Sequence, residues 1–280
     1  MGFDDFADDI SLTGATGTAN ISGATFAGSG ESSYTVTLTG VSGAGEIDVS
    51  VQTGTNVTDP GGCPLNSSVS LTLQIARNTE THYVDVDNTG NELWPYDTPE
   101  TAATITQDAV DAASDGDMVL VAPGTYSDGG RTAPGQTLMT RVVVERAITL
   151  QGTEGREVTI IEGQGPQGGG AVRCVSLGSV GATLDGFTLR EGHTLPGYTS
   201  NLNAQGGGIQ IIANDCMVQN CVIEDCEASG GGGIYVALDI PNPTLIRNCA
   251  IRGNEAGEGG GVYLYSSAPI SDCLIEHNTA

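Results

Sequence analysis

Apolar and polar positions alternate with a period of two in three stretches near the start of the chain. Tyr34, Val36 and Leu38 are separated by threonines, Ile47, Val49 and Val51 by Asp48 and Ser50, and Val69, Leu71, Leu73 and Ile75 by Ser70, Thr72 and Gln74. Such alternation predicts strands with one buried face. Clusters at Gly28-Ser29-Gly30, Gly43-Ala44-Gly45 and Asp59-Pro60-Gly61-Gly62 predict the turns between them. Residues 1–76 therefore read as an antiparallel β-sandwich.

Residues 77–100 read as a connector. Tyr83-Val84-Asp85-Val86 is expected as a short opening strand, residues 88–91 as a turn, and Trp94-Pro95 to Pro99 as a rigid loop. The period then changes. Ile105, Ala109, Val110 and Ala113 fall at helical spacing and predict a helix over residues 101–114, with Thr98 and Pro99 at its start and Gly116 at its stop. Residues 118–126 follow as a buried strand closed by Pro123-Gly124.

Beyond Leu184 the pattern repeats. Leu184-Asp185-Gly186-Phe187-Thr188-Leu189 aligns with segments beginning at Val218, Ile246 and Ile270. Each reads apolar, polar, Gly/Asn/Asp, Phe/Cys, any residue, Leu/Ile. The Phe/Cys column stands at 187, 221, 249 and 273, spaced 34, 28 and 24 residues apart. Glycine triplets start at Gly206, Gly231 and Gly259, spaced 25 and 28 apart. Repeats of roughly 20–50 residues mark solenoids. The third position explains itself, because Gly, Asn and Asp most readily take the left-handed backbone that a tight bend between two short strands needs. The expected architecture is all-β: a right-handed parallel β-helix over residues 101–280, with the helix at 101–114 as its N-terminal cap, preceded by the sandwich. Residues 148–152, 158–163 and 172–175 supply the less regular first coils.

These segments resemble known families. A helix, then a buried strand, then coils is similar to the N-terminal cap of pectate-lyase-like β-helix proteins. Cys249-Ala250-Ile251-Arg252-Gly253-Asn254-Glu255-Ala256 before Gly259-Gly260-Gly261-Val262 resembles the polymorphic outer-membrane protein repeat, with Cys in the aromatic position. Cys273 to Ala280 matches its first half. Residues 8–14, 33–38, 48–51 and 57–62 resemble bacterial Ig-like repeats of large surface proteins, without their opening strands. The resemblances imply a piece of a larger extracellular or cell-surface polypeptide of bacterial type.

Charge agrees with that setting. There are 34 acidic residues against 9 basic ones, all arginine, giving a net charge of -25. Such a surface repels nucleic acid and anionic membrane and suits divalent cations. No stretch approaches the ~20 apolar residues of a membrane helix, and Met1-Gly2-Phe3-Asp4-Asp5 does not open a signal peptide.

Candidate chemistry is sparse. Of the seven cysteines, Cys216, Cys221 and Cys226 sit five apart, which is not a zinc spacing. Cys221, Cys249 and Cys273 share the inward column of Phe187 and read as buried thiols. The resemblance to pectate lyases implies a calcium-binding aspartate cluster with an arginine base helped by lysine, and polygalacturonases imply three aspartates with Gly-His-Gly and Arg-Ile-Lys. Neither set is present. The catalytic candidates are Arg190, Glu191 and His193. Ligand candidates are Tyr198, Asn201 and Asn203 in the longest loop between repeats, with Arg247 and Arg252. For Ca2+, oxygen ligands cluster at Asp85, Asp87, Asn88 and Asp97, and at Asp4, Asp5, Asp8 and Asp9. The function expected is a non-catalytic module of adhesin or passenger type that binds a polysaccharide or another surface ligand. The alternative is a lyase or glycoside hydrolase acting on acidic polysaccharide.

Overall fold

The computed structural model describes residues 79–197, 201–237 and 244–280, and five strands within the first 78 residues. It divides into two units, Met1–Asn78 and Thr79–Ala280.

In the first unit, Gly45–Val51 pairs antiparallel with both Ile10–Thr13 and Val69–Ile75, and Gly23–Ala27 pairs antiparallel with Thr35–Thr39. Three of these strands lie on the segments where apolar residues alternate. The turn clusters at residues 28–30 and 59–62, Asp4, Asp5, Asp8 and Asp9 lie outside the described residues.

The second unit is a right-handed parallel β-helix, three strands to a full coil. The first face stacks Thr81–Val84, Met118–Val121, Thr149–Gly152, Thr183–Asp185, Met217–Gln219, Leu245–Arg247 and Ile270–Ser271. The second stacks Gly124–Tyr126, Thr159–Glu162, Thr188–Arg190, Val222–Glu224, Ala250–Arg252 and Leu274–Glu276. The third stacks Met139–Val144, Val172–Leu177, Ile209–Ile211, Ile234–Val236 and Val262–Leu264, with Arg131–Thr132 antiparallel at its edge. Glu227–Gly230 and Glu255–Glu258 form a short parallel pair beside these stacks.

The register aligns like residues into columns. Leu150, Leu184, Val218 and Ile246 stack inside the first face, Ile161, Leu189, Ile223 and Ile251 inside the second, and Val175, Ile209 and Ile234 inside the third. All are fully buried. Each such side chain contributes about 1.5–3 kcal/mol by leaving water.

The bend between the first and second faces is where the repeat places it. Gly186, Asn220, Asn248 and Asp272 have φ of 80°, 56°, 51° and 53°. A second bend follows the second face, at Glu191, Asp225, Gly253 and His277, with φ of 54°, 53°, 65° and 56°. The glycine triplets form a third. Gly206, Gly231 and Gly259 are left-handed at φ 61–64°, and the next two glycines pass so close to the neighbouring coil that a Cβ on Gly207 would sit 2.5 Å from the Gly192 carbonyl oxygen.

The N-terminal end differs from expectation in two respects. The opening strand runs Thr81–Val84, two residues earlier than expected, and pairs in parallel with Met118–Val121 as the first rung of the first face. The α-helix is only Thr106–Ala112. Thr98 and Thr101 cap a separate 3-10 turn at Pro99–Thr101, their hydroxyls 3.0 Å apart. Between the two, Ala103 must be extended, because it exchanges backbone bonds with Tyr83 and Asp85. The short helix still covers the coil end: Ala109, Val110 and Ala113 join the core. Its Gln107 amide also completes the edge of the third face. Gln107 Nε2 donates to the Val143 carbonyl at 3.2 Å, and its Oε1 accepts from the Val143 N–H at 2.7 Å. A side-chain amide thus stands where another strand would bond, which blunts an otherwise open edge.

Candidate functional site

Outward positions on the second face carry alternating charge. Glu162, Arg190, Glu224, Arg252 and Glu276 follow one another in register from coil to coil. Arg190 lies 2.6 Å from Glu162, and Arg252 2.8 Å from Glu224. The Glu224 hydrogen bond raises the pKa of Arg252. On the first face, Arg247 Nε donates to Gln219 Oε1 at 2.8 Å, and Gln219 Nε2 donates to Asp185 Oδ2 at 2.8 Å. Along the bend between these faces, Asn248 donates its amide to Asn220 at 2.7 Å, and Asn220 donates to Asp185 at 2.6 Å. Arg156 reaches over this ladder to the Asn248 carbonyl at 2.9 Å. With Glu154, Glu157, Asp185, Asn220 and Asn248 it lines an open groove of about 460 Å³.

Arg190, Glu191 and His193 are thus given different surroundings. Arg190 is held by Glu162, and Glu191 stands exposed at the second bend. The His193 ring packs over Gly165, with Nδ1 2.9 Å from the Glu191 carbonyl and Nε2 3.5 Å from Glu227.

Residues 201–205 of the long loop after His193 lie against the third face, and their anchor is a residue the sequence did not mark. Arg173 is fully buried. Its guanidinium donates to the carbonyls of Leu202, Gln205 and Gly206, and to Gln136 and Thr140. Burial pushes its pKa down to about 9, which still leaves it charged at neutral pH. Asn203, expected as a ligand residue, accepts from the backbone N–H groups of Thr137 and Leu138 at 2.7 and 2.9 Å. Asn201 accepts from the Asn203 N–H at 3.0 Å. Both asparagines build the loop; Tyr198 lies outside the described residues. The signal that could have revealed Arg173 is an arginine within the apolar run from Ala171 to Leu177.

Further along the third face, Tyr235 and Tyr263 are register neighbours with stacked rings 6.1 Å apart. Tyr265 meets Tyr263 edge-on at 4.9 Å. Tyr235 is buried, Tyr263 is half-buried and Tyr265 is exposed. Hydrogen bonds with Tyr265 and Glu258 push the Tyr263 phenol above its ordinary pKa.

The six described cysteines, Cys174, Cys216, Cys221, Cys226, Cys249 and Cys273, are free thiols. Burial raises Cys216 to about 11 and raises Cys221 and Cys226 further from reactivity. Cys63 lies outside the described side chains. Among the expected calcium ligands, Asp85 accepts from the Asp87 N–H at 3.0 Å as a turn former, and the Asn88 amide donates to the Ala102 carbonyl at 2.8 Å. Among the described residues, the grouping whose donor atoms lie within 4.8 Å of one another is Glu80, His82 and Asp117, and it includes none of Asp85, Asp87 and Asp97.

The family of right-handed β-helix regions matches residues 176–280, which agrees with a coil of the pectate-lyase-like kind. No curated protein sequence matches the chain. A solved structure described as a rhamnogalacturonan lyase is similar over 71% of this chain at 15% identity, with a TM-score of 0.43. The chain spans about half of that protein, 52% of its length. Among the described residues no helix is long and apolar enough to cross a membrane.

Proposed function

We propose that this chain is a non-catalytic, carbohydrate-binding module of an extracellular or cell-surface protein, of adhesin or passenger type. The observation that carries the reading is the tyrosine cluster on the outer third face. Tyr263 and Tyr265 present aromatic surface in a fixed arrangement, and the Tyr263 hydroxyl bonds both Tyr265 and Glu258. Flat, amphipathic rings with a polar rim suit the apolar faces and hydroxyls of a sugar. A net charge of -25 repels acidic glycans, so the ligand favoured is neutral. The non-catalytic part of the reading has separate support. Arg190, Arg247 and Arg252 each hold a neighbour in the adjacent coil, a use that shapes the stack.

The test is a panel of neutral and acidic polysaccharides, assayed for binding and for release of shortened products. Binding to a neutral glycan, weakened about 30-fold by joint Tyr263→Ala and Tyr265→Ala, is expected; loss of about 1 kcal/mol per ring corresponds to that change. Depolymerisation abolished by Arg190→Ala or Glu191→Ala would overturn it in favour of a lyase or hydrolase.

A further inference from the structure

The first two rungs of the first face place a chemically distinct group at the N-terminal end of the coil. Thr81 pairs with Met118 and His82 with Val119, so Glu80 and Asp117 stand opposite each other one position earlier. The Met118 N–H donates to the Glu80 carbonyl at 2.9 Å, and the Glu80 N–H donates to Asp117 Oδ1 at 3.0 Å. Strand alternation puts His82 on the same side as Glu80. A cross-strand pair and its second neighbour thus converge. His82 and Asp117 are each 1% exposed, while Glu80 is open to solvent.

His82 Nδ1 lies 2.7 Å from the Pro95 carbonyl, which can only accept, so Nδ1 carries a proton. A neutral ring then points the Nε2 lone pair at the Asp117 carboxylate, 3.3 Å away. Two acceptors facing one another require a cation between them. A proton there makes a charge-assisted bond, and those run about 2.7–2.9 Å. Two donors each ~2.1 Å from a tetrahedral Zn2+ lie about 3.4 Å apart, so the 3.3 Å separation also admits a metal. An imidazole whose other nitrogen donates to a backbone carbonyl is also the usual arrangement around a bound metal. Asp117 is held in place from a further side, because Oδ2 accepts from the Ser114 N–H at 2.7 Å.

We infer that Glu80, His82 and Asp117 form a site for a divalent transition metal of the Zn2+ class, with the exposed side left to water. The imidazole argues against Ca2+, which takes oxygen ligands. The metal would tie the first rung to the second where the apolar column ends, and the net charge of -25 would concentrate cations around it.

The test uses the whole chain, dialysed against a chelator and titrated with ZnCl2 or CaCl2, followed by calorimetry and thermal unfolding. One Zn2+ per chain, a raised melting temperature and no comparable response to Ca2+ are expected. Co2+ in place of Zn2+ should give the visible bands of a tetrahedral site. His82→Ala can unfold the coil end, so the deciding variant is Glu80→Gln on the exposed side. It should fold as the parent does and bind Zn2+ about 10-fold or more weakly. No Zn2+ binding at all, or equal binding by the parent and Glu80→Gln, would overturn the inference and leave His82 and Asp117 as an ion pair.

Discussion

A single backbone conformation, repeated at one position per coil, decides much of this fold. Asn220 and Asn248 hold left-handed φ values of 56° and 51° and also pass a hydrogen bond from coil to coil. The two contributions separate by mutation. Asn220→Gly keeps the bend and loses the amide ladder, at about 1 kcal/mol. Asn220→Ala loses the ladder and, unlike Gly, keeps a Cβ in the left-handed region without the polar side chain that lets Asn tolerate it, adding about 1 kcal/mol. Urea unfolding should therefore rank parent, Gly variant and Ala variant in that order, and equal losses would show that the bend carries no strain. This column was legible in the sequence because only Gly, Asn and Asp occupy it. The second bend was not, since its column mixes Glu191, a poor left-handed former held there by the strands on either side, with Asp225, Gly253 and His277. The asparagine of the repeat motif was legible as a pattern but not as a role. Asn254 is buried and donates to the Ile223 carbonyl at 3.0 Å, and Asn278 makes the same bond to Ile251 at 2.8 Å. It fills a backbone acceptor inside the coil.

At the scale of elements, the loop from His193 to Gln205 shows where sequence reading reached its end. Its length and polar content read as a ligand loop, yet Asn201 bonds Asn203 and Asn203 ties the loop to the segment around Leu138. The reason lies 30 residues earlier along the chain from Asn203, in Arg173, whose burial only its place in the apolar run from Ala171 to Leu177 announces. Arg173→Met preserves much of the volume and removes donors to the carbonyls of Leu202, Gln205 and Gly206. Leaving several buried acceptors unpaired is expected to cost about 3–5 kcal/mol. Hydrogen exchange and limited proteolysis should show that loss first as opening of residues 194–205, with the second-face strands still protected. Uniform deprotection of the whole coil would mean instead that Arg173 holds the stack itself. The cap was half legible for a comparable reason. Ala109, Val110 and Ala113 announced a buried helical face, but pairing of Ala103 with the first rung, a tertiary demand, shortened the helix to Thr106–Ala112.

Over the whole molecule, the β-helix behaves as a one-dimensional stack in which each coil is sealed by its neighbours. Inward residues of the central coils, such as Ile223 and Ile251, are fully buried, whereas Ile275 in the last described coil is 47% exposed and Leu274 beside it 53%. The same substitution should therefore have unequal effects along the axis. Ile223→Ala opens a cavity between two covered coils and is expected to cost about 2–5 kcal/mol. Ile275→Ala removes a side chain already half in water, and about 1 kcal/mol or less is expected, since half-exposed apolar area contributes correspondingly less. Denaturant unfolding of the two variants measures the difference directly. Similar costs would show that the last coil is covered in solution by something that seals it as a further coil would. The charge ladder gives the axis a second, weaker gradient. Glu162, Arg190, Glu224 and Arg252 each face a neighbour of opposite sign, and Glu276 faces only Arg252 below it. Added salt screens these exposed pairs and the self-repulsion of a chain at -25 alike. Because pairs of this kind are individually worth about 0–1 kcal/mol, relief of repulsion should win, and the melting temperature should rise with NaCl in both isoleucine variants. The gap between the two should persist at high salt, because it is set by apolar burial and not by charge.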